Sequence, residues 1–220
     1  MEDTRRSDRT GRRAGRKPAF SARDVVDAAL AEGIDHFTLS AVAGRLGVAT
    51  PAIYRLYRSR DDIVDAALDV IAESIRHPEI GAHWRDVLQL WSDEVWRICE
   101  TYRGLNRVVY SYPTAFTHIE DAIGVYAAAL AANGKSPGQA IFALDFLGDT
   151  VMSSHLGVEA MRSVDKDQTR ALDRVREKIS GASALAPDEG WADRYFMDAK
   201  VEFVITALAD NWPEAPTTTT

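Results

Sequence analysis

The sequence has few of the residues that build disulfides, metal centres or membrane spans. Cys99 is its single cysteine, which excludes an internal disulfide and a four-thiolate zinc site. The longest uncharged apolar run, Ala122 to Ala132, has 11 residues, which is too short to cross a bilayer and predicts a buried helix. No apolar segment follows the pair Arg5-Arg6, so we expect no secretion signal. These absences favour a cytoplasmic globular protein with no membrane partner.

Motifs of cofactor-dependent and hydrolytic enzymes are also missing. The chain contains no Gly-x-Gly for a dinucleotide and no Gly-x-Ser-x-Gly for a nucleophilic serine. Gly134-Lys135-Ser136 resembles the end of a phosphate-binding loop, but Ala129 stands where that motif needs its other glycine. The five histidines include no pair at the helical spacing of metal ligands. We therefore expect no cofactor, no metal site and no catalytic role.

Charge is distributed unevenly along the chain. The formal net charge is −7, yet residues 1–60 hold 12 Lys and Arg against 7 Asp and Glu, whereas residues 61–220 hold 14 against 26. A basic N-terminal part on an acidic body is expected of a protein that presents one end to a polyanion such as DNA. A solvated basic tail is the alternative that charge alone leaves open.

Helix signals follow one another along the sequence, and no stretch alternates as a strand would. Residues 1–19, rich in Arg, Gly, Ser and Thr, predict a flexible basic arm, and residues 213–220 predict a disordered tail. Between them we expect an all-α fold in which residues 20–76 form a helix-turn-helix unit with a connecting helix. Residues 80–212 then form a larger helical domain.

Several helix boundaries are marked by capping residues. Ser21 with Asp24 makes a capping-box start for the first helix, and Gly33 ends it near Glu32. Three further N-caps open the next helices: Thr38, Thr50 (followed by Pro51 at the first helical position) and Ser59 with Asp62. The later helices are predicted at residues 84–101, 104–111, 114–132, 137–161, 165–180 and 191–211.

Residues 39–58 meet the geometric demands of a helix-turn-helix. Two helices that cross steeply need a small residue where they touch, which Ala43 provides, and the tight turn needs positive φ, which Gly47 tolerates. The positions expected to face inward are all apolar: Val42, Leu46, Val48, Ile53 and Leu56. The pattern therefore predicts a recognition helix near residues 50–57.

The outward side of this third helix carries residues suited to a DNA groove. Thr50 and Ala52 are small enough to approach base edges, and Arg55 has the geometry for bidentate pairing with guanine. The candidates for phosphate contacts, which set register rather than sequence, are Tyr54, Tyr57, Arg58 and Arg60. For Tyr54 and Tyr57 a half-buried core position is the alternative. Thr38 and Pro51, at the helix starts, complete the predicted contacts of this unit.

Here the sequence resembles the tetracycline-repressor (TetR) family of regulators. The residues that carry the resemblance lie between about positions 20 and 67: Ala28-Ala29-Leu30, Phe37-Thr38, Val42-Ala43, Leu46-Gly47-Val48, Ile53-Tyr54, Tyr57, Arg60 and Ile63. Tyr57 stands where Phe or His is usual, and Arg60 where Lys is usual. Gly15-Arg16-Lys17-Pro18 looks like the basic arm that some members lay along the minor groove, which adds Arg16 and Lys17 to the predicted DNA contacts.

Two carboxylates stand four residues apart in an apolar stretch. Asp145 and Asp149 share one helix face, which indicates either an exposed stripe or a polar anchor for a cationic or hydroxylated ligand. Beyond residue 67 the resemblance is only architectural and implies a helical ligand-binding domain. The residues predicted to line its pocket are Trp91, Tyr110, His118, Asp145, Asp149 and Met152.

Together these features predict a ligand-responsive transcriptional regulator, a repressor in most of the family, released from DNA by a small-molecule effector. A single short helix makes too few base contacts for specificity, so we expect a homodimer on a palindromic operator. The predicted dimer interface joins residues 137–161 and 191–211, where the apolar residues Phe196, Phe203, Val204 and Leu208 recur at helical spacing. A helical enzyme with an incidental helix-turn-helix, and a constitutive architectural DNA-binding protein without a ligand, remain as alternatives.

Overall fold

The computed structural model describes residues 20–179, 181 and 183–213. These residues form ten α-helices and two short 3-10 helices, and extended pairing among them is limited to one isolated bridge between Val164 and Arg170. The predicted all-α fold class is confirmed. The predicted basic arm, with Arg16 and Lys17, and residues 214–220 of the predicted tail lie outside the described residues.

The N-terminal unit consists of four helices: α1 (Ala22–Glu32), α2 (Leu39–Arg45), α3 (Thr50–Ile53) and α4 (Arg60–Glu73). Ser21 and Asp24 form the predicted capping box at the start of α1. Thr38 caps α2 by accepting the Ala41 amide at 3.1 Å, and Ser59 caps α4 in the same way. Short polar side chains thus satisfy amides that the first turn of each helix leaves without partners.

The start of α3 differs from the predicted one by a residue. Ala49 rather than Thr50 is the N-cap, with extended backbone at φ −80° and ψ 143°, and Pro51 is the second residue of the helix. The Ala49 carbonyl accepts the Ala52 amide at 2.8 Å. Proline fits either of the first two helical positions because neither amide there has an intrahelical acceptor. The proline alone therefore does not distinguish the two starts.

The second part of the chain adds six helices: α5 (Trp84–Thr101), α6 (Leu105–Ser111), α7 (Glu120–Ala132), α8 (Pro137–Arg162), α9 (Ala171–Lys178) and α10 (Tyr195–Asp210). The helices predicted at 84–101, 104–111 and 137–161 match α5, α6 and α8 to within one residue. The prediction of one helix over 114–132 was wrong, because Ala115–Ile119 forms a 3-10 helix before α7 begins.

Two later helix starts were also predicted too early. Helix α9 begins at Ala171 rather than at 165, because the Asp165 side chain accepts the amides of Asp167 and Thr169 at 2.9 and 3.0 Å and holds a turn there. Asp is typical of such turns, since its carboxylate competes with the helical acceptors. Helix α10 begins at Tyr195, after a separate 3-10 helix at Glu189–Ala192.

Helix α8 is the centre of the larger domain and packs against α5, α7 and α10. Its inward residues Leu147 and Val151 are fully buried. Trp91 of α5 donates its indole N–H to the carbonyl oxygen of Leu144 at 2.8 Å. Burial of each such aliphatic side chain contributes about 1.5–3 kcal/mol, so the α5–α8 pair supplies much of the apolar core.

A buried carboxylate fixes the C-terminal end of α4. Glu94 of α5 is fully buried and accepts hydrogen bonds from the Arg76 amide (2.9 Å), Arg76 Nε (2.7 Å) and Arg97 Nη2 (2.7 Å). Arg97 also donates to the carbonyl of Ser74, the C-cap of α4, at 2.7 Å. Burial alone would raise the pKa of Glu94, but the hydrogen bonds from Arg97 and Arg76 outweigh it and lower that pKa to about 2.

We predict that Glu94→Gln lowers the free energy of unfolding by about 3 kcal/mol at pH 7, the lower end for a broken buried ion pair, since both arginines keep some contact with solvent. The folded-state pKa of Glu94 lies below its ordinary value of 4.5. Its contribution is therefore complete above about pH 4.5 and is lost as the pH falls towards 2. Urea unfolding across this pH range measures both effects.

Glu177→Gln is the matched control, because Glu177 is exposed and has no hydrogen bond or ion pair within the described part of the chain. It should change the free energy of unfolding by no more than about 0.5 kcal/mol. Equal stabilities of the two variants would contradict the role given to Glu94.

Candidate DNA interface and candidate ligand cavity

The turn between α2 and α3 has the geometry of a helix-turn-helix. Gly47 has φ +67°, a left-handed conformation that strains residues with a Cβ. The Val48 amide closes the turn by donating to the Ala43 carbonyl at 3.0 Å. Ala43 is buried, as are Val42 and Ile53 on either side of the turn. The small residue at the crossing and the glycine in the turn therefore do what the sequence predicted of them.

The face of α3 that points away from this core is open to solvent. Pro51, Tyr54 and Arg55 are exposed, and Thr50 and Ala52 are half-buried. The Arg55 side chain has no hydrogen bond or ion pair in the part of the chain that the structure describes. It is therefore free to contact a base edge or a phosphate.

Of three further residues named in the sequence analysis, one is placed differently from the prediction. Leu56, predicted to face inward, is exposed, because α3 ends at Ile53 and the next residues form a turn that breaks the helical period. Thr38 is exposed, but its hydroxyl is occupied as the N-cap of α2. Arg58 has an almost fully exposed side chain, with Asp62 as a distant partner at 3.9 Å.

Tyr57 and Arg60, both predicted as phosphate contacts, hold the N-terminal unit together. The Tyr57 hydroxyl donates to the Ala22 carbonyl at 3.2 Å, and its partial burial raises its pKa. The Arg60 guanidinium donates from Nη2 to the carbonyls of Ile34 (3.1 Å) and Asp35 (3.0 Å), and from Nε to that of Phe37 at 3.2 Å. The carbon of the same guanidinium lies 4.4 Å from the centre of the Phe37 ring. These contacts give the Tyr57 hydroxyl and the Nε and Nη2 donors of Arg60 structural roles within the unit.

A cavity of about 610 Å³ lies in the larger domain, bounded by α4, α5, α6, the 3-10 helix at Ala115–Ile119, α7 and α8. Five of the six residues predicted to line a pocket stand on its wall: Trp91, His118, Asp145, Asp149 and Met152. The sixth, Tyr110, is not on the wall and is exposed on α6. Successive side chains of a helix point to different sides, and Leu105 and Val109 are the α6 residues that line the cavity.

The sequence prediction missed the contribution of α4 to this cavity. Leu68 and Ile71 of α4 form part of the wall, as does Ile75 just after the helix ends, although this segment was assigned from the sequence only to the connecting helix. The signal was present in the apolar residues of α4, which are more numerous than the helix-turn-helix needs for its own core. One helix therefore serves both the N-terminal unit and the cavity.

Acidic residues stand at the solvent-exposed side of the cavity. Asp145 and Asp149 line it and are both exposed, as are the nearby wall residues Phe116 and Ile141. We infer that these four residues surround its mouth. Partial burial raises the pKa of Asp149, and the negative charge of Asp145 raises it further.

His118 connects the cavity wall to α4. Its Nδ1 lies 2.6 Å from Asp69 Oδ1, and its Nε2 lies 3.2 Å from Asp65 Oδ1. The Tyr112 hydroxyl also donates to Asp65 Oδ1, at 3.1 Å. The middle of α4 is thus bonded to the segment that closes one side of the cavity.

The loop between α1 and α2 forms a second connection between the two parts. The Ile34 amide donates to the Arg103 carbonyl at 3.0 Å. Arg107 of α6 donates to Asp35 at 3.1 Å and to Glu159 of α8 at 2.9 Å. This junction depends on residues far apart in sequence, and sequence reasoning missed it.

Within the described residues no three or more His, Cys, Asp or Glu side chains stand close enough together to hold a metal ion. No helix in the same part of the chain is long and apolar enough to span a membrane.

Comparison with known proteins supports the resemblance to the TetR family. Residues 26–67, which contain α2 and α3 and parts of α1 and α4, match the family described as bacterial regulatory proteins, tetR family. An HTH-type transcriptional regulator of Saccharopolyspora erythraea is 24% identical over 203 residues, which cover 88% of this chain and 86% of that protein. Residues 26–67 are therefore similar to the DNA-binding part of tetR-family regulators, and the chain resembles an HTH-type transcriptional regulator over most of its length.

Further relatives agree with this similarity. The HTH-type transcriptional repressor DrrR1 of Streptomyces coeruleorubidus is 30% identical over 112 residues, covering 47% of this chain and 42% of that protein. The TetR-family fold is shared with ActR of Streptomyces coelicolor in complex with actinorhodin (TM-score 0.65, 19% identity, 88% of this chain and 97% of that one). It is also shared with a TetR variant of Acinetobacter baumannii in complex with minocycline (TM-score 0.61, 21% identity, 91% and 97%).

Arg58 and Arg60 should respond differently to substitution, although they lie only two positions apart. We predict that Arg60→Ala lowers the free energy of unfolding by about 1.5–3 kcal/mol, the usual value of hydrogen bonds from a charged donor. Arg58→Ala should change it by less than about 0.5 kcal/mol, because its side chain is almost fully exposed. Urea unfolding followed by circular dichroism measures both values. A loss for Arg58→Ala as large as that for Arg60→Ala would contradict the assignment.

Proposed function

We propose that this chain is a TetR-family repressor that binds a palindromic operator as a homodimer and releases it when a small molecule occupies the cavity. The observation that carries the proposal is that α4 is part of both the DNA-binding unit and the cavity wall. It packs on α1 of the DNA-binding unit and provides Leu68 and Ile71 to the cavity wall. A molecule in the cavity therefore contacts the helix that carries the DNA-binding unit.

Operator recognition is assigned to the exposed face of α3. The N-terminal residues of a recognition helix reach base edges in the major groove, and Thr50 and Ala52 are small enough for close approach there. Arg55, with its unpaired guanidinium, is the candidate for guanine. Tyr54 and Arg58 are exposed beside it and suit phosphates. Tyr57 and Arg60 support this face from inside and are no longer proposed as contacts.

The homodimer is assigned to the outer faces of α8 and α10. Phe203 is 74% exposed, and Phe146 and Phe196 are also exposed. Aromatic residues exposed together on two packed helices are typical of an interface. Of the other residues predicted there, Val204 is half-buried and Leu208 packs in the chain's own core, which leaves the phenylalanines as the proposed contacts.

Effector binding is assigned to the cavity of about 610 Å³, a volume within the usual range for small-molecule sites. Its wall is largely apolar, so an apolar or amphipathic molecule suits it. The complexes of ActR with actinorhodin and of a TetR variant with minocycline support this assignment by analogy of fold.

Release of DNA follows from the way α4 is held. Its C-terminal end is bonded to α5 through Glu94, whereas its middle is bonded to the cavity wall through His118. A ligand that prefers a displaced His118 segment shifts the population towards conformers in which α4 has pivoted about its fixed end. Two recognition helices bound to half-sites about 34–36 Å apart do not tolerate such a change of spacing.

We predict that Arg55→Ala weakens operator binding by about 1–3 kcal/mol and relaxes the preference at one base position in each half-site. Tyr54→Phe should weaken binding to all sequences alike, because a phosphate contact carries no base information. Fluorescence anisotropy with an operator and its single-base variants measures both patterns. If Arg55→Ala weakened every sequence equally, the base and phosphate contacts would be assigned the wrong way round.

The salt dependence of the same assay tests DNA binding by the unsubstituted protein. If the dimer neutralises on the order of 6–10 phosphates, its affinity should fall about 10³–10⁵-fold between 50 and 200 mM salt. A flat salt profile would rule out the proposed binding mode.

We predict that Phe203→Asp converts the dimer to a monomer and abolishes tight operator binding, because a charge on the apolar interface must be desolvated on association. Analytical ultracentrifugation measures the oligomeric state, and anisotropy measures operator binding. Ile80→Asp is the matched control, since Ile80 is fully exposed but lies on neither α8 nor α10. A dimeric Phe203→Asp protein would place the interface elsewhere.

We predict that Gly148→Leu blocks the cavity while leaving operator affinity unchanged. Gly148 lines the cavity, and a Cβ built there lies 3.7 Å or more from Trp91, so a larger side chain extends into the space without a backbone clash. The variant should no longer take up Nile red, a neutral dye that fluoresces in apolar surroundings, and should not release operator with any compound that releases the unsubstituted protein.

Gly124→Leu is the control for this substitution. Gly124 is exposed on α7, a Cβ there meets nothing within 4 Å, and the residue does not line the cavity. This variant should bind the dye and respond to the releasing compound as the unsubstituted chain does. If the compound still released operator DNA from the Gly148→Leu protein, the effector would bind elsewhere. If no compound released DNA from the unsubstituted protein, a constitutive DNA-binding protein would be favoured.

A further inference from the structure

The ionisable side chains that line the cavity are almost all of one sign. Three are acidic, Glu120, Asp145 and Asp149, and no lysine or arginine stands among the described wall residues. The one side chain of basic type is His118, and its two ring nitrogens face Asp69 and Asp65 of α4. The potential inside the cavity is therefore negative, and its low-dielectric wall strengthens the field.

The two aspartates at the mouth also lack the partners that similar residues have elsewhere in this domain. Asp93, Glu100 and Glu159 each form an ion pair with an arginine of another segment. Asp145 and Asp149, one helical turn apart, have no hydrogen bond or ion pair among the described residues. The repulsion between these two carboxylates is unfavourable, and a cation between them would remove it.

The inner wall has the opposite character. It is formed by aliphatic and aromatic side chains, among them Ile71, Ile98 and Leu144, and Trp91 fixes part of it by its bond to the Leu144 carbonyl. Such a surface suits a rigid apolar ring system, which loses little conformational entropy when it binds. A ligand that satisfies both regions needs an apolar body and a positively charged end.

We propose that the effector is an amphipathic cation whose ring system fills the inner cavity and whose charged nitrogen lies between Asp145 and Asp149. This inference rests on the proposed function, because it names the ligand class of the same cavity. It disfavours anionic effectors, which would bring a like charge to the acidic mouth, and it gives neutral molecules no ionic contribution there.

Three pyrene derivatives test the ligand class directly, since they share one ring system and differ mainly in charge: 1-pyrenylmethylammonium, 1-pyrenemethanol and 1-pyrenecarboxylate. Pyrene fluorescence titrations of the DNA-free dimer give their dissociation constants. The ammonium compound should bind at least about tenfold more tightly than the alcohol, the lower end of the effect of an opposite charge a few ångströms away. The carboxylate should bind most weakly.

The double variant Asp145→Asn with Asp149→Asn should lose this preference. The dissociation constants of the ammonium compound and the alcohol should become equal within about twofold, while that of the alcohol stays as it was. Glu177→Gln with Asp210→Asn removes the same two charges from exposed positions outside the cavity wall. That control should keep the full preference for the ammonium compound, which separates a local contact from the net charge of the protein.

The possible results test two claims separately: the class of the ligand, and the existence of a ligand site in the cavity. Binding of the alcohol as tightly as the ammonium compound, or a preference that survives in the Asp145→Asn and Asp149→Asn protein, overturns the inference and leaves the cavity as a ligand site. Failure of all three compounds to bind, or equal binding to the Gly148→Leu protein, contradicts the proposed use of the cavity and overturns the inference with it. A unique preference for the carboxylate also overturns it.

Discussion

The ion pairs of buried Glu94 are the constraint on which the arrangement of the two sites depends. They join α5 to Arg76 and, through Arg97, to Ser74 at the end of α4. Because a buried carboxylate without its partners is strongly unfavourable, the C-terminal end of α4 cannot leave α5 at low cost. The rest of α4 extends from this fixed point towards the DNA-binding unit, so its direction sets where that unit lies.

The other polar contacts of α4 lie along its length, and the contact with His118 is on the cavity wall. His118 and Tyr112 bond to the middle of the helix near or on the cavity wall, and Arg60 joins its first turn to the loop after α1. The same loop contacts Arg107 of α6. Among the described residues, α4 therefore has a buried anchor at Glu94 and a polar junction at the cavity, and the loop after α1 forms a second junction with α6. In the proposed release of DNA, a ligand acts first on the junction at the cavity.

Features that depend on interactions between residues close in sequence could be predicted, whereas features that depend on contacts between distant residues could not. The helix-turn-helix was predictable because Ala43 and Gly47 meet local demands of crossing and turn, and the caps Ser21 and Thr38 mark their helices within three residues. The acidic pair on α8 was placed on one face by spacing alone. The carbonyl partners of Arg60, the aspartate partners of His118, and Arg76, which bonds to Glu94, lie 18 to 53 positions away and depend on packing, which spacing does not reveal. Tyr110 was misplaced because composition identified an aromatic region without fixing which side of α6 faces the cavity.

The pivot of α4 is the central claim, and the distance between the two DNA-binding units of the proposed dimer tests it most directly. Asp61 is exposed at the first turn of α4 and has no hydrogen bond or ion pair within the described residues, and the native Cys99 is buried, so Asp61→Cys accepts a spin label selectively. Double electron–electron resonance should then give one narrow distance distribution in the operator complex and a shifted distribution when a releasing compound saturates the cavity. An unchanged distribution in protein that has released its operator would contradict the account.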